Sequence, residues 1–447
     1  MFTKQLQQLR DEAGDASEPW DQTRIAQAFG ALIARGTIEA GDKLAPIRTV
    51  ARELGVSTAT VADAWSILRS HGLISTDRRR GTTVRADPGH GRSRYWRVPM
   101  APGQLDLDLS TGTPDPALLP DLTPILAGIQ GDLDVTSYLE PPIVPELGEE
   151  LRRRWPYDPP ALMVLDGAND GLDRVAQALL RLGDVAVVED PTYPLLLDQL
   201  ETLGVEIVGV PMDEDGPDLV ALGAALARDP RALFLQTGAQ NPTGIALSPA
   251  RAAAIADLVA DLGTTVIEDH SGLPGPRSEV TIGTRLPDRV VRIHSFSKTH
   301  GPDLRIAAMA GPTDLIDEVE RRRQLGPGWT SRLIQRVLLE MLRRPEVDAQ
   351  VATASAIYRD RRAALADALG DHGLTTAPGG GLNLWVPVAH EHIATVSLTA
   401  NGIGVAPGEP FRVTDRTQHI RVTSARVAAE VEAVAATIAA AAAVPAG

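Results

Sequence analysis

The chain of 447 residues contains no cysteine. That excludes disulfides, a thiolate nucleophile and Cys-ligated metal, and it fits a reducing compartment. No His, Asp or Glu motif points to a metal either. Long apolar runs are missing as well. The opening Met1-Phe2-Thr3-Lys4-Gln5-Leu6 lacks the apolar stretch of a signal peptide. The alanine-rich tail from Arg426 to Ala446 is interrupted by Glu430 and Glu432 and reads as a surface-packed terminal helix, not a span. A cytoplasmic protein with no membrane partner is expected. The length suits two or three domains, and 43% apolar residues suffice for substantial cores.

Lysine is nearly absent too. Lys4, Lys43 and Lys298 stand against about forty arginines, so wherever charge alone would serve the chain uses guanidinium. A retained lysine hints at a needed primary amine, because only an amine forms a Schiff base and can deprotonate when buried. The setting of Lys298 sharpens this: Ser295-Phe296-Ser297-Lys298 runs on to Gly301-Pro302-Asp303-Leu304-Arg305. Two hydroxyls, an amine and an arginine within eleven residues suit a phosphate-bearing aldehyde, pyridoxal phosphate. Read alone, Lys298 could equally be a solvated lysine in a Ser-rich loop.

Charge is unevenly spread. Residues 20–97 hold 13 Lys/Arg against 7 Asp/Glu, a net of +6, whereas residues 98–447 carry −19. A basic front on an acidic body suggests a nucleic-acid-binding head. Residues 1–19 form a tail. Within residues 20–86, Asp21 caps a helix bearing Ile25, Phe29, Leu32 and Ile33, and Gly36 closes it. A short helix, Ile47 to Leu54, meets Gly55, and Ser57 caps a third from Thr58 to His71 with Val61, Ala64, Trp65 and Leu68 inward. Leu73-Ile74-Ser75 and Thr82-Thr83-Val84 flank the turn Asp77-Arg78-Arg79-Arg80-Gly81 as a hairpin. Short helices around Gly55 are a helix-turn-helix pattern.

The stretch from Ile25 to Val84 resembles the winged helix-turn-helix of GntR-family regulators. The resemblance implies double-stranded operator DNA as partner, with the third helix in the major groove. On that mapping Arg48, Ser57, Thr58 and Thr60 face DNA, and Arg78, Arg79 and Arg80 lie along the backbone. Thr58 stands where such heads often carry arginine, so the operator preference does not carry over. Without the resemblance, the unit could be a plain interaction module and its arginine turn merely solvated.

Residues 87–107 are rich in Pro and Gly and read as a linker. Roughly twenty residues reach at most about 70 Å, so the head is expected to be tethered but free to reorient. In residues 108–447, apolar runs at 186–189, 205–208, 232–235, 265–268 and 290–293 alternate with helical stretches at 171–182, 195–203 and 249–262. The expected fold class is α/β: a large, mixed, mainly parallel sheet covered on both faces, with a smaller α+β subdomain. Ligands in such folds sit beyond the carboxyl ends of the strands.

The polar motifs, in order, resemble fold-type I pyridoxal-phosphate enzymes of the aspartate aminotransferase class. Gly167-Ala168-Asn169 opens a helix suited to phosphate, and Tyr193 in Asp190-Pro191-Thr192-Tyr193-Pro194 offers a ring to stack on the pyridine. Asn241 of Asn-Pro-Thr-Gly can donate to the phenolic oxygen, and Asp269 can pair with the pyridine nitrogen. The resemblance implies that Ser295, Ser297 and Arg305 hold the phosphate, that Lys298 forms the Schiff base, and that Arg421 clamps a carboxylate. Tyr138, near Pro141 and Pro145-Glu146-Leu147, would reach the partner subunit's phosphate. Each motif read singly has an ordinary structural use as a turn, helix entry or strand end.

A GntR-type head on an aminotransferase-like body resembles the MocR subfamily. The resemblance implies a head-to-tail homodimer in which the cofactor, or its adduct with an amine or amino-acid effector, governs operator binding. The short linker and the Asp269-His270 pair are similar to MocR proteins tied to vitamin B6 supply. Two departures stand out. Glu268-Asp269-His270-Ser271-Gly272 lacks the tyrosine usual shortly after the aspartate, leaving His270 or Ser271 as partial substitutes. The Tyr138 segment lacks a glycine near Ile143 and Val144. Holding the cofactor survives such changes better than turnover does, which favours a regulator. An active aminotransferase with an accessory head is the alternative.

Overall fold

A computed structural model describes residues 5–9, 19–34, 37–70, 73–77, 81–84, 94, 105–129, 140–275 and 277–444. In the head, the Asp21 carboxylate accepts the Arg24 N–H at 2.8 Å and opens α1 (Gln22–Ala34). α2 (Ile47–Leu54) ends on Gly55 in the left-handed conformation. The Ser57 hydroxyl accepts the Thr60 N–H at 3.0 Å and starts α3 (Thr58–Ser70). Such caps satisfy backbone donors that have no helical acceptor. β1 (Ile74–Asp77) and β2 (Gly81–Val84) pair antiparallel as the expected hairpin. Ile25, Phe29, Val61, Trp65 and Leu68 are buried, and the rings of Phe29 and Trp65 meet edge to face at 4.8 Å.

The body begins with β3 (Leu107–Asp108), followed by α4 (Thr123–Gly128) and α5 (Pro145–Arg154). A large domain follows. Its strands are β4 (Ala161–Leu165), β5 (Val185–Asp190), β6 (Glu206–Asp213), β7 (Gly216–Pro217), β8 (Ala232–Gly238), β9 (Thr265–His270), β10 (Val290–Ser295) and β11 (Ala307–Gly311). They lie in the order β4-β11-β10-β9-β8-β5-β6-β7. The five strands from β10 to β6 are parallel, while β11 runs against both neighbours and β7 against β6. α6 (Ala168–Leu179), α7 (Pro194–Thr202), α8 (Leu219–Leu226) and α9 (Pro249–Val259) cross between strands.

Alternate residues of each strand feed opposite cores. Val188, Phe234 and Ile267 pack with Leu172 of α6 and Leu196 of α7, and Val187, Leu233 and Val266 pack with Leu222 of α8 and Ile255 of α9. Strands buried on both faces explain why their sequences are continuous apolar runs. α10 (Thr313–Gln324), α11 (Arg332–Leu342) and the 27-residue α12 (Pro345–Asp371) lead to the small domain. There β12 (Leu384–Pro387), α13 (Glu391–Ala400), β13 (Ile403–Gly404), β14 (Ala406–Pro407), β15 (His419–Val422) and α14 (Val431–Ala442) follow. β15 lies between β12 and β14, and β13 pairs with β3. The terminal helix starts later than its composition suggests, because a 3-10 turn at Ser424–Arg426 and a left-handed Glu430 (φ 55°) intervene.

The expected freedom of the head is corrected by the structure. Val396 of α13 is fully buried in the head's own core, and Gly30 of α1 comes within 3.6 Å of it, measured from an ideal Cβ position. Gln27 donates to the Ser397 hydroxyl at 2.9 Å, and the Thr23 hydroxyl donates to the Ala400 carbonyl at 3.0 Å. α13 is apolar on two sides: Ala394 and Leu398 pack on the small-domain sheet while Val396 faces the head. A helix of that kind must be covered on both faces, and fully burying one valine is worth about 1.5–3 kcal/mol. Within the linker, Arg94 is held by Asp198 and Glu201 of α7.

Candidate functional site

The parallel strands end around a cavity of about 240 Å³. Lys298, three residues beyond β10, lies in it, and its Nζ donates to the Gly112 carbonyl at 2.6 Å. Burial first and the Arg421 guanidinium second lower the amine to about 8, against the charge of Asp269. Asp269, near the end of β9, shares the cavity and is raised to about 6 by burial, against a hydrogen bond from Gln236 and the charge of Lys298.

Gln236 was invisible as a functional residue in the sequence, yet it joins two expected ones. Its amide nitrogen donates to Asp269 Oδ2 at 3.1 Å, and its carbonyl accepts the Asn241 N–H at 2.6 Å. The available signal was a polar side chain at the end of an otherwise apolar strand. Asn241 Oδ1 accepts from Arg421 Nη1 at 3.3 Å and from the Asn383 amide nitrogen at 3.5 Å.

Opposite, Ala168 and Asn169 bring the N-terminus of α6 to the cavity, with Gly167 as its N-cap. The Arg305 guanidinium packs against Gly167, its Nη2 3.5 Å from the Asp166 carbonyl. Ser295 and Ser297 line the same wall, the Ser297 N–H donating to the Ser295 hydroxyl at 3.3 Å. Helix N–H groups, a guanidinium and two hydroxyls together make an anion cradle. Tyr193 lines the cavity between this cradle and Asp269, its hydroxyl 3.4 Å from the Asn169 amide.

Arg421 rises from β15 and is 5% exposed. It donates to the Ser110 carbonyl and lies 5.1 Å over the Phe411 ring. Its guanidinium also rests on Gly112, where a Cβ would stand 3.1 Å from Nη1 and φ is +63°. Thr111, Gly112 and Thr113 thus form one wall of the site, a run that carried no recognised motif.

Within the segment that lacks the tyrosine, Gly272 has no room for a side chain. Gly272 has φ +76°, and a Cβ there would lie 2.3 Å from the Ser295 carbonyl. Of the two substitutes, His270 turns inward and stacks on His294 at 5.2 Å between ring centres. Ser271 lines the cavity, and its buried hydroxyl has no hydrogen-bond partner among the described residues. Tyr138 lies outside the described residues, as do Arg78, Arg79 and Arg80. In the head, Arg48, Ser57 and Thr58 are exposed on one end of the helix-turn-helix, and the Thr60 hydroxyl lies 2.8 Å from that of Ser57. Among the described residues no cluster of acids and histidines could hold a metal, and no helix is long and apolar enough to cross a membrane.

A helix N-terminus, a buried amine and a strand-end carboxylate around one cavity, beyond a parallel sheet, define a class. The chain belongs to the aminotransferase class I and II family over residues 106–438, and residues 21–84 match the bacterial regulatory proteins of the gntR family. Joined in one chain, these are the MocR arrangement. Among relatives, the vitamin B6 salvage pathway transcriptional repressor PtsJ of Salmonella typhimurium is 32% identical, over 88% of this chain and 91% of its own. The pyridoxine biosynthesis transcriptional regulator PdxR of Corynebacterium glutamicum is 28% identical, over 78% and 79%. Among solved structures, the alpha-aminoadipate aminotransferase LysN of Thermus thermophilus, complexed with N-(5'-phosphopyridoxyl)-L-leucine, shares the fold. Its TM-score is 0.69 at 22% identity, over 76% of this chain and 92% of that one.

Proposed function

We propose that the chain is a DNA-binding transcriptional regulator whose body holds pyridoxal phosphate on Lys298 and responds to that cofactor, or to an amine or amino acid reaching it. The observation that carries this is the Lys298 amine, held beside Asp269 and across from the Arg305 cradle in one cavity. When bound, pyridoxal phosphate supplies an aldehyde for the amine and a ring that withdraws electrons. Ser295, Ser297, Arg305 and the start of α6 hold its phosphate. Asp269 faces the pyridine nitrogen, Asn241 and Ser271 the phenolic oxygen, and Tyr193 the ring. Arg421 is the anchor for an effector carboxylate.

A ligand changes DNA affinity only through different affinities for two states of the protein. Arg421 sits on β15, whose sheet carries α13, and α13 carries the head. That contact supports a route from the carboxylate anchor to Arg48, Ser57 and Thr58. The names of the two regulators make pyridoxal phosphate the first ligand to test. A homodimer, with Tyr138 reaching its partner's phosphate, belongs to the same reading.

Purified protein is expected to absorb in the visible once pyridoxal phosphate is added, and Lys298→Ala to lose that band. Gel shifts on the chain's own upstream region should change with the cofactor in wild type and not in Lys298→Ala. A protein that stays colourless overturns the reading. The second reading, a working aminotransferase, is favoured by the presence of Lys298, Asp269 and Arg421 in one cavity. Sustained conversion of amino acid to keto acid at about 1 per second or faster would establish it. The lack of a tyrosine after Asp269 instead favours a single round.

A further inference from the structure

A second carboxylate stands behind Asp269. Glu189, on β5, is 2% exposed, and its two oxygens are committed to the polar residues that shape the cofactor site. One accepts the Gln236 N–H at 3.1 Å, and the other lies 3.4 Å from the Gln240 amide. Gln236 in turn donates to Asp269, and Gln240 accepts from Thr243 of the Asn-Pro-Thr-Gly turn. Glu189 and Asp269 also line one small cavity of about 10 Å³. That is about the smallest space that admits a single water.

We propose that Glu189 is a positioning residue for Asp269: a carboxylic acid that keeps a proton next to it, linked through Gln236 and one water in the shared cavity. The proposal rests on the reading that Asp269 faces the cofactor's pyridine nitrogen. Two buried carboxylates that line one small cavity do not both ionise at little cost, so the pair holds one proton between them. Burial raises Glu189 to about 8, with the charge of Asp269 adding to the rise and the Gln236 and Gln240 donors opposing it. Asp269 itself is raised less, to about 6. Asp269 shares its cavity with the Lys298 amine, whereas the lining around Glu189 holds no cation among the described residues, so near neutral pH the proton belongs to Glu189 and the charge to Asp269.

The surroundings leave the pair to itself. Among the described residues lining the small cavity, Asp269 of β9 is the charged group facing Glu189, and beyond it stands Lys298. β8 contributes Gln236 and Phe234, α6 Leu172, α7 Leu196 and the turn before α7 Thr192. Glu268, the neighbour of Asp269, is engaged elsewhere by Arg292 at 3.0 Å. A positive pyridine nitrogen docking on Asp269 lowers the affinity of Glu189 for its proton. Cofactor affinity should then rise with pH as Glu189 ionises.

The test uses the full-length protein and Glu189→Gln, which keeps the hydrogen-bonding shape and removes the titration. Infrared difference spectra of cofactor-free protein, wild type minus Glu189→Gln, should show at neutral pH the C=O stretch of a protonated carboxyl, lost by pH 9; Glu391, which burial raises to about 7, contributes to both proteins and cancels. In parallel, pyridoxal phosphate affinity relative to Glu189→Gln should rise about three- to tenfold in wild type between pH 7 and 9, equivalent to a half to one pK unit of coupling. If wild type minus Glu189→Gln shows no carboxyl band, or the two proteins share one pH profile, the proposal is overturned. If wild type binds no cofactor, the functional reading fails, and the infrared result alone decides on Glu189. Should Glu189→Gln not fold, Asp269→Asn decides instead. It must shift the loss of the band to lower pH, because it removes the neighbouring charge, and an unshifted band overturns the proposal.

Discussion

Gly112 and Gly272 show how much of this site depends on atoms that are missing. At Gly112 the absent Cβ admits the Arg421 guanidinium, so Gly112→Ala should both strain a left-handed backbone and push the carboxylate anchor aside. The strain is of order 1–2 kcal/mol. The variant is expected to keep its visible band yet lose about tenfold in affinity for an amino-acid effector, measured by titration of that band. Lys298 supplies a second expectation. Only the neutral amine attacks an aldehyde, and the amine is lowered to about 8, chiefly by burial and then by Arg421. The rate of cofactor capture should thus climb about tenfold per pH unit below 8 and level off above it. Arg421→Ala, by removing a neighbouring positive charge, should move the plateau to higher pH. Stopped-flow absorbance would read both, and a plateau near an ordinary lysine's value would contradict the burial account.

α13 changes the picture of the linker. Pro- and Gly-rich composition at residues 87–107 is a sound guide to irregular structure, and it says nothing about what the two ends of the tether touch. The head closes its core with Val396, a residue more than 300 positions beyond α3. Val396→Asp would place an unpaired charge in that core at a cost of about 3 kcal/mol or more. Faster proteolytic separation of head from body, with the visible band retained, is the expected result. Thr23→Ala, which removes one hydrogen bond worth about 1 kcal/mol, should have a much smaller effect. The elements themselves were readable: the five strand runs, the caps at Asp21 and Ser57 and the glycine after α2 are local signals. Helix ends shifted where the chain makes a non-repeating bend, as at Glu430 before the last helix.

Across the chain, a basic front of +6 sits on a body of −19. Such a body is repelled by DNA, so binding should depend on the head's own phosphate contacts and fall steeply with salt, with a slope near −0.9 per neutralised phosphate. Arg48→Ala is expected to weaken binding to the chain's own upstream region and, if Arg48 touches phosphate, to reduce the salt slope by about one. Unchanged gel-shift affinity would take Arg48 out of the interface.

Lys298, Asp269, Asn241, Arg305 and Arg421 were recognisable in the linear chain because each sits in a short motif at a strand or helix end, where chemistry and local geometry go together. The fold class was equally plain, since apolar runs separated by helical periods leave few ways to bury them. Folding alone brought Lys298 to Gly112 and Arg421 to Asn241 across 186 and 180 residues. It also set Gln236 and Glu189 behind Asp269, pressed Gly272 against the Ser295 carbonyl and fastened the head to α13. Burial of the strands draws these distant segments together without regard to the polar groups at their ends. Which of those groups then meet is a property of the packed sheet and is written in no local pattern.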